Sequence, residues 1–262
     1  SANTTGTSLT AIGQLALAAN TTASNNTAVG RLALLANTTG ASNTSVGANS
    51  LCANTTGTKN IAVGANALER NTTASNNVAV GFDAMLKTTT GCRNVGVGES
   101  VLKENTTGKC NVAVGAFTFE QNSTGDFNTA IGMLALNRNT TADNNTAVGQ
   151  QALENNTTGT ENTGLGWFSL NDNTTGNYNV GVGRGAMSVL TTGQNNTAMG
   201  YNAGGSLTTG QENLLLGVNA GKSTSPFTVT TQNQRIVLGH NDITNAYIKV
   251  ALTVTSDLRD KT

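Results

Sequence analysis

The sequence predicts an all-β fold: a parallel β-solenoid, or β-roll, built from 17-residue coils. The first observation is a set of thirteen glycines that recur at a constant 17-residue interval without a slip, here called the phase glycines: Gly13, Gly30, Gly47, Gly64, Gly81, Gly98, Gly115, Gly132, Gly149, Gly166, Gly183, Gly200 and Gly217. Such a period requires each copy to stack on the next in one fixed geometry. The second is unit length: about 17 residues hold two short strands and two turns, whereas a two-helix repeat needs about 33. The third is an aromatic content of 4%, too low for a large compact core.

Each coil is expected to contain a short strand that ends just before its phase glycine. The residue before the glycine is always large and aliphatic, and these residues are called the valine row: Ile12, Val29, Val46, Val63, Val80, Val97, Val114, Ile131, Val148, Leu165, Val182, Met199 and Leu216. Two residues earlier the side chain is nearly always β-branched, so both positions share one strand face. We expect this face to fill the inside of the coil.

The opposite strand face is almost without side chains. It carries the alanine row, the residues two positions before the phase glycines, mostly Ala or Gly, as at Ala28, Ala62, Ala79, Gly96 and Ala113. A strand that is uncharged on both faces is typical of one covered on both sides. The simplest cover is the same surface of another chain, so we predict a homo-oligomer, specifically a homotrimer. In the alternative assignment, Ala and Gly fit a tight coil interior while the valine row points outward to a partner chain; the homo-oligomer follows either way.

Two further rows accompany the strands. The leucine row lies four residues beyond the phase glycines and belongs to a turn or a return strand: Leu17, Leu34, Leu51, Leu68, Met85, Leu102, Phe119, Leu136, Leu153, Leu170 and Met187. It ends at Gly204 and Gly221, which indicates termination of the array. The inner asparagine row lies four residues before the phase glycines in twelve consecutive coils, from Asn26 to Asn213. Stacked amides of this kind are expected to hydrogen-bond along the coil axis.

The recurrent Asn-Thr-Thr-Gly turn shows a compensation. Its glycine is replaced by Ala23, Ala74 and Ala142, and in all three coils the residue two positions later is Asn: Asn25, Asn76 and Asn144. Ala resists a positive φ and Asn tolerates it. We therefore expect the left-handed residue of the turn to move by two positions in these coils.

The organisation of the chain changes after Gly221. The next segment that resembles a repeat strand ends at Gly239, later than position 234 where the period would place its glycine, and the only proline, Pro226, lies in the gap. The sequence thus predicts a repeat array of thirteen coils over 1–221, a β transition segment over 222–255, and the start of a further domain over 256–262. We expect the chain to be part of a longer protein.

Composition and spacing argue against several functions. Fourteen basic and fourteen acidic residues cancel without a basic run, which excludes a nucleic-acid partner, and no apolar stretch approaches the roughly 20 residues of a membrane span. The single histidine, His240, cannot assemble a His-rich metal site, so neither metal nor cofactor is expected. The acid pairs Glu104 with Glu120 and Glu154 with Asp172 are each one position out of line. No enzymatic turnover is expected from them.

A few aromatic residues follow the phase glycines by one or two positions: Phe82, Trp167, Phe168 and Tyr201. Aromatic faces supply contact area for sugars, so these residues are candidate receptor contacts. They serve equally well to fill gaps between chains, and both interpretations stay open.

The last seven residues, Ser256-Asp257-Leu258-Arg259-Asp260-Lys261-Thr262, resemble the opening of the endosialidase-type intramolecular chaperone (peptidase S74-like) that ends many phage tail fibres and tail spikes. The signature, S-D-x-R with Lys two residues later, falls on Ser256, Asp257, Arg259 and Lys261, although Asp260 stands where an apolar residue is usual. The repeats are also similar to those upstream of such domains, and to the V-A-I-G pattern in the β-roll heads of trimeric autotransporter adhesins.

The resemblance implies a function and a single chemical step. It implies a structural and adhesive segment of a homotrimeric phage tail fibre in the virion. Its partners would be sister chains, upstream fibre proteins and a glycan or protein receptor on the host surface. The family's domain trimerises the fibre and is often released by self-cleavage; here Ser256 would be the nucleophile, with Asp257 and Lys261 nearby. The alternative is the head of a bacterial surface adhesin or filament.

Overall fold

The strands of the protein form one parallel sheet in the computed structural model, which describes residues 2–222, 228–240 and 243–244. Fourteen strands of three residues follow each other in chain order, each paired with the next, and these described residues contain no helix. The strands are β1 (Thr10–Ile12), β2 (Thr27–Val29), β3 (Thr44–Val46), β4 (Ile61–Val63), β5 (Val78–Val80), β6 (Val95–Val97), β7 (Val112–Val114), β8 (Thr129–Ile131), β9 (Thr146–Val148), β10 (Thr163–Leu165), β11 (Val180–Val182), β12 (Thr197–Met199), β13 (Leu214–Leu216) and β14 (Ile236–Leu238). The parallel solenoid of 17-residue coils is therefore confirmed.

The register of the sheet keeps equivalent residues in line. Ala62 pairs with Ala79 and Val63 with Val80, and the same 17-residue offset joins every pair of strands up to β13. The final pair, β13 with β14, has a longer offset, with Leu214 opposite Ile236. Each coil contributes one strand rather than two, so the expectation of two strands per coil is wrong.

The alanine row, not the valine row, faces the interior. The middle residue of the strands from β2 onward is buried while its two neighbours are half-buried or exposed, as in β4, where Ala62 is fully buried and Val63 is 37% exposed. The first assignment of faces is thus wrong, and the alternative, with the valine row pointing outward, is correct. The physical reason is volume: the leucine row already fills the space opposite the strand, which leaves room for little more than a methyl group.

The leucine row lies in a turn whose backbone is left-handed. Leu34 has φ 50° and Leu51 has φ 48°, and the residue two positions before each of them also has positive φ. These turns are stabilised by the next coil: the amide of Leu34 donates to the carbonyl of Ser50 at 3.1 Å, and that of Leu51 to Ala67 at 3.0 Å. Residues held in this conformation cannot continue an extended strand, which accounts for the missing second strand.

Where the leucine row ends, the large side chain lies on the strand instead of in the turn. A side chain at Gly204 would meet Cδ1 of Leu215 at 2.9 Å, and one at Gly221 would meet Cδ2 of Leu215 at 3.1 Å. Leu215 is the alanine-row residue of β13 and is fully buried. The large side chain has therefore moved from the turn to the strand, and the core continues past the point where the row ends.

The left-handed residue of the Asn-Thr-Thr-Gly turn does not move. Asn25, Asn76 and Asn144 have φ of 61°, 62° and 59°, but Lys59 (57°) and Phe127 (58°), at the same position in glycine-bearing coils, are equally left-handed. The proposed compensation is therefore wrong as a mechanism. The turn glycine is not at positive φ; a Cβ at Gly40 would instead press on the carbonyl oxygen of Gly57 and on Asn37.

Candidate functional site

The buried polar residues form two hydrogen-bonded ladders along the solenoid. The first is the turn asparagine row, the Asn of each Asn-Thr-Thr-Gly turn: Asn3, Asn20, Asn37, Asn54, Asn71, Asn105, Asn122, Asn139, Asn156 and Asn173. Asn54 is typical: its Nδ2 donates to Oδ1 of Asn37 in the preceding coil at 2.8 Å and to the carbonyl of Gly57 at 3.1 Å. Except at Thr88 and Leu190, which interrupt the row, these amides bond to one another and hold the turns together, so they are structural.

The inner asparagine row bonds mainly to backbone. Oδ1 of Asn26 accepts the backbone N–H of Asn43 at 2.8 Å, and Nδ2 of Asn43 donates to the carbonyl of Gly57 at 2.9 Å. The same pair of bonds recurs through Asn213. Bonding between coils is as expected, but it runs mostly from amide to backbone, with amide-to-amide bonds in a few coils such as Asn179 to Asn162. These side chains are buried, so a ligand does not reach them.

The outward side of the sheet is the first candidate surface. This outer sheet face consists of the first and last residues of the fourteen strands, all of which are Thr, Val, Ile, Leu or Met. Val97 and Val114 are each 37% exposed and Met199 is 48% exposed. Fourteen strands at about 4.8 Å spacing make an uncharged strip roughly 60 Å long. The last residue of every strand is large and apolar, and an unbroken apolar row of this length is unusual on the surface of a monomer.

Three of the four predicted aromatic contacts come together, and the fourth does not. Trp167 and Tyr201 both follow a phase glycine, two coils apart, and Arg184 occupies the same position in the coil between them. The Arg184 guanidinium carbon lies 4.2 Å from the centroid of the Trp167 ring and 5.5 Å from that of Tyr201. Phe168 packs edge-on against Trp167 at 5.5 Å and is half-buried. Phe82 stands apart, five coils away and exposed.

Arg184 is the residue that sequence reasoning missed in this cluster. Its position, one residue after a phase glycine, accepts Gln, Ala, Glu and Arg in other coils and looked variable. The available signal was the spacing: Trp167, Arg184 and Tyr201 are each one repeat period apart, which places them in line on successive coils. We call these three residues the aromatic stack.

The acid pairs considered for catalysis are paired with other residues. Glu104 forms an ion pair with Lys87 at 2.6 Å, and Glu154 accepts hydrogen bonds from Gln151 and Asn171. Asp172 accepts from Asn155 at 3.1 Å. Within the described ranges, no group of three or more His, Cys, Asp or Glu residues is placed to hold a metal ion.

The candidate residues for self-cleavage, Ser256, Asp257 and Lys261, lie outside the described residues, as does Arg259. Burial chiefly, and repulsion from Glu69, raise the pKa of the Cys52 thiol, against the opposing effect of Arg31. A raised pKa keeps the thiol protonated, so Cys52 is a poor nucleophile.

Among the residues that the structure describes, none belongs to a helix long and apolar enough to cross a membrane. A scan against protein-family models and searches of curated proteins and of solved structures found no match to this chain.

Proposed function

We propose that this chain is a structural and adhesive segment of a homotrimeric phage tail fibre that takes part in host attachment. The observation that carries the proposal is the outer sheet face, an apolar strip along the length of the solenoid that a single chain leaves exposed. Burial of such a strip stabilises an assembly by about 25 cal/mol per Å² of apolar surface. A rod held together by stacked coils and by sister chains suits a mechanical role.

A second copy of the chain is the partner that matches this face best. The rows of the outer sheet face repeat once per coil, and another copy presents rows with the same rise. Side chains of two copies can therefore interdigitate at every coil, whereas a partner with a different period would lose register within a few coils. The absence of charge from both surfaces removes any electrostatic penalty for the contact.

The trimeric state and the location in a virion rest on the resemblance of Ser256 to Thr262 to a trimerising chaperone. By the same resemblance the precursor cuts itself once between Thr255 and Ser256. Expression with the downstream domain, followed by mass spectrometry, tests this step, and a C-terminus anywhere other than Thr255 counts against it.

A bacterial surface adhesin is the second candidate. It is favoured by the short strands such as Thr-Ala-Val before a glycine in β2, which are similar to the V-A-I-G strands of trimeric adhesin heads. The two candidates differ in the rest of the gene: a virion-attachment domain upstream supports the fibre, and a membrane anchor downstream supports the adhesin.

Sedimentation equilibrium at micromolar concentration tests the assembly. A particle of three times the mass of one chain is expected. A well-folded species with the mass of a single chain would overturn the proposal.

A further inference from the structure

We propose that the aromatic stack of Trp167, Arg184 and Tyr201 is a binding site for a carboxylate-bearing saccharide. The inference rests on the proposed role in host attachment and names the ligand class for that role. It assigns the carboxylate to the Arg184 guanidinium and the sugar rings to the exposed Trp167 and Tyr201 side chains.

The guanidinium of Arg184 is held in place and has donors to spare. Trp167 and Tyr201 lie on the coils before and after it, so their rings restrict its movement along the solenoid axis. Arg184 is exposed, and in the described part of the chain it forms no ion pair and its side chain donates no hydrogen bond. An arginine restrained in this way loses little entropy on binding, and its planar set of N–H donors matches a carboxylate in a bidentate arrangement.

The residues beside Arg184 add polar groups to the stack. Position 185, next to Arg184, is Gly, where the equivalent residue one coil earlier is Phe168. A Cβ at Gly185 would lie 2.5 Å from Oδ1 of Asn202, so the Asn202 amide occupies the space next to Arg184 that a side chain at position 185 would take. Among the described residues, neither the Asn202 amide nor the Tyr201 hydroxyl has a hydrogen-bond partner. Amide and hydroxyl groups beside an aromatic face are the groups that sugar hydroxyls use.

The charge around the stack favours an anion. No other charged residue occurs between Asp172 and Glu212, a stretch of more than two coils. Arg184 is therefore the one charge of that stretch, and among the described residues no acid lies within ion-pair distance of its guanidinium to compete with a carboxylate ligand. Trp167 and Tyr201 are separated by two coil spacings, about 10 Å, so the site spans more than one sugar unit.

Arg31 shows what the same position looks like without the aromatic flanks. Arg31 also follows a phase glycine. Its Nη2 lies 3.4 Å from Oδ1 of Asn49, which occupies the same coil position relative to Arg31 as Asn202 does relative to Arg184. Its neighbours one coil away in the same position are Gln14 and Ala48. Arg31 is thus a matched control: the same residue at the same coil position, without rings to hold it or to receive a sugar.

Isothermal titration calorimetry with tri-galacturonate tests the site, and the methyl ester of the same trisaccharide tests the role of the carboxylate. We expect the wild-type protein to bind the acid at least about tenfold more tightly than the ester, and Arg184→Gln to lose at least about tenfold in affinity for the acid. Trp167→Ala and Tyr201→Ala should also weaken binding. Arg31→Gln should bind as the wild type does.

Three results would overturn the inference: no binding of tri-galacturonate, equal binding of acid and ester, or an Arg184→Gln variant that binds unchanged. Sedimentation of each variant separates this inference from the proposed function. A wild-type trimer that binds neither saccharide refutes the ligand class and leaves the fibre assembly intact. If Arg184→Gln instead lowers the mass of the assembly, the stack is a contact between chains and the saccharide site is refuted.

Discussion

Oδ1 of Asn71 is buried without a hydrogen-bond donor because the next residue in its ladder is Thr88 instead of Asn. The hydroxyl of Thr88 is itself buried and unpaired. On the far side of the break, Nδ2 of Asn105 donates only to the carbonyl of Gly108. A threonine is too short to bridge the two amides, so one substitution interrupts a ladder that is continuous on both sides.

Thr88→Asn should therefore stabilise the protein. The new amide would donate to Asn71 and accept from Asn105, which adds about 1–3 kcal/mol to the free energy of unfolding. A higher thermal midpoint and slower hydrogen exchange over residues 71–108 would show it. Leu190→Asn is the control, since it would reach the equally unpaired Oδ1 of Asn173 but face Leu207 on its other side. We expect this control to be destabilising, and an unstable Thr88→Asn would contradict the ladder account.

The phase glycines should tolerate no side chain. Gly98 has φ 144°, and a Cβ there would collide with the carbonyl group of Gly115 in the next coil. Gly98→Ala is expected to cost at least about 2 kcal/mol through backbone strain and displaced stacking. Gly108→Ala serves as the control. A Cβ there also approaches the next coil, at 2.6 Å from the carbonyl oxygen of Gly125, but Gly108 is not at positive φ and Ala23, Ala74 and Ala142 show that the turn can adjust to alanine. It should cost about 1 kcal/mol or less. Equal losses for the two variants in chemical denaturation would refute the distinction.

Gly204 and Leu215 should show strong coupling in a double-mutant cycle. Leu215→Ala leaves a cavity and should cost about 2–5 kcal/mol, and Gly204→Leu overpacks the same space. Together they recreate the arrangement of Leu68 with Ala79 in an ordinary coil. The double variant should thus be more stable than the sum of its parts by about 2 kcal/mol. Leu215→Ala combined with Leu68→Ala, many coils away, should be additive; additivity at Gly204 and Leu215 would be evidence against a shared space.

Charges on the outer sheet face should dissociate the proposed trimer. Val97→Glu with Val114→Glu places two carboxylates per chain in the predicted interface, and their desolvation opposes assembly. We expect the mass in sedimentation to fall to that of one chain while the circular dichroism spectrum is unchanged, since both side chains are exposed on the isolated solenoid. Thr90→Glu with Thr107→Glu adds the same charge at exposed turn positions and should leave the mass unaltered. An unchanged mass for the Val97 and Val114 variant would place the interface elsewhere.

Period, strand position and strand order were predictable because they depend on spacing alone. The assignment of faces was not, because both faces of a strand such as Val78-Ala79-Val80 are apolar and hydrophobicity does not rank them. The volume left inside the coil beside the leucine row decides which face of the strand is buried. A readable sign existed in the last coils, where Gly replaces Leu at 204 while Leu appears at 215, which shows that these positions share one space.

The second strand and the aromatic stack mark the other limits of sequence reasoning. Leucine at Leu34 and Leu51 gives no hint of a positive φ, since β-rich sequences seldom place a bulky aliphatic residue there. The sequence predicts part of the stack, because the rings of Trp167 and Tyr201 are candidate receptor contacts. Arg184 joins it only through its contacts with the rings on the coils before and after it.

The constant 17-residue register has a consequence for how such a chain changes in size. Any coil offers its neighbour nearly the same donors, acceptors and apolar contacts as every other, so removing or duplicating a whole coil rejoins two surfaces that already fit. Unequal recombination between repeats in the gene would then shorten or extend the rod in single-coil steps of about 4.8 Å without disturbing either terminus. The length of the rod can therefore change by whole coils while the segments at its two ends stay the same.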